Sequence, residues 1–84
     1  MTAFTAATAL PELIRRGVFP TRFSIEGVHD GTSREGNLLL RRAGDGWAIT
    51  LRDRSDRRDI AFYESEGIAA DAFVEMVSRD NGVL

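Results

Sequence analysis

The chain of 84 residues has no cysteine and no lysine, and only one histidine, one tyrosine and one tryptophan. The missing cysteine excludes a disulfide framework, a thiolate metal site and a thiol nucleophile. The missing lysine excludes a Schiff-base amine. His29 is the only imidazole, too little for a metal site unless several carboxylates converge on it. No apolar run approaches the roughly 20 residues of a membrane-spanning helix. The first eight residues lack the basic start and apolar centre of a signal peptide. These absences predict a cytoplasmic, non-catalytic chain with no cofactor and no metal.

What is present fits one small folded domain over residues 1–84, with 1–7 read as either a frayed tail or the start of a helix. Hydrophobic residues make up 43% and charged residues 29%, ordinary values for a folded protein. A domain of this size buries only about 60–65% of the surface its unfolded chain exposes, leaving little room for a deep active site. The formal net charge is −2, and all 11 basic residues are arginine. Arginine offers a planar fork for carboxylates and phosphates, but nucleic-acid binders usually carry a concentrated positive surplus.

Periodicity predicts two helices around four strands. Leu10, Leu13 and Ile14 mark one face of a helix over Leu10–Arg16, with Thr8 as its cap, Pro11 in its first turn and Gly17 as its stop. Alternation predicts strands at Thr21–Glu26, Gly36–Arg42, Trp47–Arg52 and Arg58–Tyr63. Ala43-Gly44-Asp45-Gly46 and the polar segment 53–57 read as hairpin loops. Ser65 caps a second helix over Glu66–Ser78, whose apolar face carries Ile68, Ala69, Ala72, Phe73, Met76 and Val77. The expected fold is α+β, a four-stranded antiparallel meander with both helices on one face. Its expected core is Phe23, Ile25, Leu38, Leu40, Trp47, Ile49, Leu51, Ile60, Phe62, Ile68, Ala72, Phe73 and Met76.

Few residues invite chemistry. His29 stands beside Asp30 in a polar loop, yet no serine shows a nucleophile motif, so a solvated histidine is the expectation. Asp53, Asp56 and Asp59 are interleaved with arginines that neutralise them, and their spacing matches no calcium loop. That segment reads either as a charged hairpin tip or as a recognition element for a protein partner. The helix–strand order differs by one strand from that of the double-stranded RNA-binding domain. That domain needs a basic start to its second helix, where this chain has Glu64-Ser65-Glu66-Gly67.

Several short segments, in order, resemble small immunity proteins encoded beside bacterial polymorphic toxins. They are Gly17-Val18-Phe19, Arg22-Phe23-Ser24-Ile25-Glu26-Gly27, Asp45-Gly46-Trp47, Arg52-Asp53-Arg54-Ser55, Phe62-Tyr63-Glu64-Ser65-Glu66, then Ala69-Ala70 and Phe73. The turn after Arg54 often carries Gly in such proteins, and here it is Ser55. The resemblance implies an α+β protein that neutralises a toxin without chemistry of its own. The expected function is therefore inhibition of a cognate toxin by masking its active site. Arg54, Asp56, Arg57, Glu64 and Glu66 are the expected partner-binding residues. The alternatives are a domain that self-associates through an open sheet edge and, less favoured, an RNA binder.

Overall fold

A reciprocal pair of threonines starts the first helix. In the computed structural model, which describes residues 2–32, 37–53 and 56–83, helix α1 spans Ala6–Arg15. The Thr5 hydroxyl accepts the Thr8 amide and the Thr8 hydroxyl accepts the Thr5 amide. The cap is thus Thr5, three residues before the expected Thr8, and Thr8 answers it from the first turn. Residues 6 and 7 belong to the helix, and the segment before them is tied down. The Asp71 carboxylate accepts the amides of Ala3 and Phe4 at 2.9–3.1 Å. At the other end Gly17 takes φ +92°, and the Val18 amide reaches back to the Leu13 carbonyl at 3.0 Å. That is the predicted left-handed stop, and Val18 folds onto the core.

The sheet holds β1 (Phe23–Ile25), β2 (Asn37–Ala43), β3 (Gly46–Asp53) and β4 (Asp56–Tyr63), ordered β1-β2-β3-β4. Strands β2, β3 and β4 form the expected antiparallel hairpins, the first closed by Gly44 at φ +60°. Strand β1 departs from the meander, because it runs parallel to β2 with Phe23 opposite Leu38 and Ile25 opposite Leu40. After Ile25 the chain turns sharply, and the Val28 and His29 amides both bond the Ile25 carbonyl. The His29 carbonyl then accepts the Ile25 amide at 2.7 Å. The turn carries the chain back along β1, so β2 enters from the same end as β1. A parallel pair needs such a long return, whereas the expected antiparallel meander would have had β2 enter from the far end of β1.

Helix α2 spans Glu66–Asp80, is capped by Ser65, and lies with α1 over one face of the sheet. The buried core combines Ala9, Leu13, Phe23, Ile25, Leu40, Ile49, Phe73, Val74 and Val77. Fully burying each large apolar side chain contributes about 1.5–3 kcal/mol. Trp47, Leu51, Ala72 and Met76 pack around this cluster as partly buried residues.

Three expected core residues lie outside it. Ile60, Phe62 and Ile68 are 45%, 66% and 52% exposed. For β4 the cause is a bulge: Ile49 pairs with Ala61, but the next residue, Thr50, pairs with Asp59. The extra residue, Ile60, shifts the alternation by one, so Ala61 and Tyr63 face the core while Phe62 faces away. For α2, contact with α1 as well as the sheet turns the buried face toward Ala70, Val74 and Ser78 and leaves Ile68 outside.

Candidate protein-binding surface

The expected partner-binding residues are strung along one strand and do not form a cluster. Arg54 lies outside the described residues. Asp56 and Arg57 open β4 and are exposed. Glu64 follows its other end, about 23 Å away at roughly 3.3 Å per residue. Glu66 is already engaged, since its Oε2 accepts the Ala6 amide at the start of α1 at 2.8 Å.

Beside them lies the sheet face that the helices leave bare. Its floor is made of Ser24, Asn37, Leu39, Ala48 and Thr50, each no more than 6% exposed. Long side chains from the same face shelter this floor and are pinned in place. The Arg41 guanidinium bonds Asp59 at 2.6 Å and the Thr50 hydroxyl at 3.1 Å. Thr50 in turn donates to Asp59 at 2.6 Å. The Thr50 hydroxyl first, and then Arg41, hold the Asp59 carboxyl below the usual aspartate range. Nearer β1, Arg52 donates to the Ser24 hydroxyl at 2.6 Å and to Asn37 Oδ1 at 3.1 Å. The Ser24 hydroxyl also accepts the Gly31 amide at 2.9 Å. Gly31 is obligatory there, because a Cβ would collide with the Phe23 carbonyl.

These bonds bear on the other candidate chemistries. Arg41 spends all three guanidinium nitrogens on Thr50, the Arg42 carbonyl and Asp59, which removes it as a free phosphate ligand, and Arg52 commits its Nη2 to Ser24 and Asn37. His29 is half-buried in the loop after β1. Its Nε2 meets the Pro20 carbonyl at 2.6 Å and its ring lies 5.2 Å from that of Phe23. A carbonyl only accepts, so Nε2 carries the proton. Asp53 and Asp56 face each other across the hairpin, whereas Asp59 is committed to Thr50 and Arg41. Among the described residues no group of three His, Cys, Asp or Glu is placed to hold a metal.

Sequence reasoning missed the apolar part of this surface. Ile60 and Phe62 are exposed on β4, and nothing in the alternating pattern announces the bulge that puts them there. At the end of the strand Trp47, Phe62 and Tyr63 wall an open cleft of about 420 Å³ whose rim carries Asp45 and Glu64. The Arg42 guanidinium stacks over Trp47 at 5.6 Å from the ring centroid. No helix among the described residues is long and apolar enough to cross a membrane.

Neither protein-family models, nor curated proteins, nor solved structures give a match to the chain.

Proposed function

We propose that the chain is a non-catalytic, cytoplasmic protein-binding module, an inhibitor of the immunity-protein kind that masks the active site of a cognate toxin. The bare sheet face and the polar β3–β4 hairpin do the covering. One observation carries this reading: the side chains of that face are locked before any partner arrives. Arg41, Thr50 and Asp59 form one closed network, and Arg52, Ser24 and Asn37 form another. A face whose rotamers are already fixed loses less entropy on binding, which favours tight association. Fixed charges of both signs also favour one partner over others.

Co-expression with the product of an adjacent toxin-like reading frame tests the proposal. The chain should restore growth to cells making that toxin. Replacing Asp53 and Asp56 by Arg, at the exposed hairpin end, should abolish protection while the variant stays folded. Full protection by that variant would remove the hairpin from the interface, and no protection by the parent chain would end the toxin reading.

A further inference from the structure

The two edges of the sheet differ. Beside β1 the chain doubles back, with His29 bonded to Ile25 and Gly31 to Ser24. Strand β4 has β3 on one side, its first five residues are all exposed, and Ile60 and Phe62 stand in water. An edge strand turns every second amide and carbonyl outward, and proteins blunt such edges with charge and bulges. Here the charges Asp56, Arg57, Arg58 and Asp59 occupy the first half only. The second half, Ile60-Ala61-Phe62-Tyr63, carries none.

We propose that β4 pairs antiparallel with β4 of a second copy, about a twofold axis at Ala61, joining the two sheets into one. The residue order along the edge selects this register. Centring the pair on Ala61 sets Ile60 against the second copy's Phe62, twice. It also brings Glu64 of each copy to the Arg57–Arg58 pair of the other, so charges of opposite sign meet. Centring on Asp59 opposes two aspartates, and centring on Arg58 opposes two arginines. Centring on Ile60 places Phe62 against Arg58. Centring on Phe62 sets Ile60 against Glu64, so the Ala61 register alone satisfies both the apolar and the charged halves, and cross-strand pairs of these kinds are the unit of sheet stabilisation. An interface that is the same patch on both copies closes on itself and stops at two chains. The bare sheet faces of both copies then lie on the same side, open to a partner. The dimer rests on the free edge and not on the toxin reading, so either stands without the other.

The chain lacks cysteine, so Ala61→Cys introduces its only thiol. In an antiparallel pair the two Cα atoms opposite each other lie about 4.5–5.5 Å apart, inside the roughly 4.4–6.8 Å range of disulfides. Mild oxidation should link Ala61→Cys chains at least tenfold faster than chains carrying Ile68→Cys on the exposed side of α2. Sedimentation of the unaltered chain should show a mass of two chains, falling to the 9.3 kDa of one in Phe62→Lys. Glu64→Arg should weaken the dimer at least tenfold, and adding Arg57→Glu with Arg58→Glu should restore it. A single-chain mass at millimolar concentration overturns the proposal. So does a dimer indifferent to Phe62→Lys, or cross-linking no faster at position 61 than at 68.

Discussion

The carboxylate of Glu66 accepts the amide of Ala6 at 2.8 Å, so one acidic side chain at the start of α2 also caps the start of α1. Both helix N-termini carry partial positive charge and unpaired amides, and a single carboxylate serves them together. Asp71, one turn further along α2, holds the chain just before α1 through the amides of Ala3 and Phe4. The two helices are thereby joined by polar bonds as well as by the apolar contact of Leu13 and Ala9 with the core.

Reversing Glu66 should therefore cost stability. Glu66→Lys removes the acceptor and puts a cation at two positive helix ends. The expected loss is about 1 kcal/mol, or roughly 4–8 °C in melting temperature for a domain of this size. Thermal unfolding of Glu66→Lys beside Glu64→Lys separates this role from general charge. Glu64→Lys, at a residue with no hydrogen-bond role among the described contacts, should melt close to the parent when both are diluted to single chains, where loss of pairing between copies does not enter.

Two phenylalanines that the sequence places in the core, Phe62 by strand alternation and Phe73 by helical spacing, should behave oppositely. Phe73 is fully buried and meets Phe23 edge-on at 6.2 Å, so Phe73→Ala should cost about 3–5 kcal/mol. Phe62 is 66% exposed, and Phe62→Ala should stay within about 0.5 kcal/mol of the parent when both are measured as single chains at low concentration. Urea unfolding of the two variants reads the difference, and equal losses would return Phe62 to the core.

The position of Gly31 gives a third expectation. A methyl group there would run into the Phe23 carbonyl and push the loop off Ser24. Gly31→Ala should destabilise by about 1–3 kcal/mol, whereas Gly→Ala at an unconstrained loop site often stabilises. Amide exchange at Gly31 and Ile25 should quicken in the variant before global unfolding begins.

Acid should loosen two carboxylate sites. Hydrogen bonds from Arg15, then Arg16, lower Glu12 from 4.5 to about 2, and Thr50 with Arg41 lowers Asp59. A carboxyl depressed by folding stabilises the fold fully above its unfolded pKa, and that contribution fades as pH falls through its folded pKa. For Glu12 the fading therefore runs from about pH 4.5 down to about 2. Carbon-detected titration of the carboxyl signals should find both groups titrating low. Thr50→Val, which deletes the largest cause at Asp59, should move that group upward and leave Glu12 in place.

Much of this architecture is legible in the sequence because local rules determine it. Gly17 and Gly82 end their helices at positive φ, Ser65 caps α2, and Gly44 turns the β2–β3 hairpin. What escaped depends on distant parts of the chain. The direction of β1 follows from how the 26–32 segment bonds back to Ile25 and Ser24. The bulge at Ile60 arises where β3 and β4 pair, and a single shifted residue inverts every side chain beyond it. The candidate surface was half legible. Its charges, Asp56, Arg57 and Glu64, stand out in a polar hairpin and at a helix start. Its apolar members, Ile60 and Phe62, sit in a pattern that reads as core. The locked networks around Thr50 and Ser24 join residues from three strands, which no local spacing displays.

If the bare sheet face meets a protein partner, methyl NMR reads the contact residue by residue. Ala48, Thr50 and Leu39 place methyl groups on that face, while Ile14 and Ile68 place theirs on the helical side. Titrating the labelled chain with the product of an adjacent toxin-like reading frame should shift the Ala48, Thr50 and Leu39 signals saturably and leave Ile14 and Ile68 where they were. Shifts confined to Ile14 and Ile68 would put the interface on the helices and not on the sheet face.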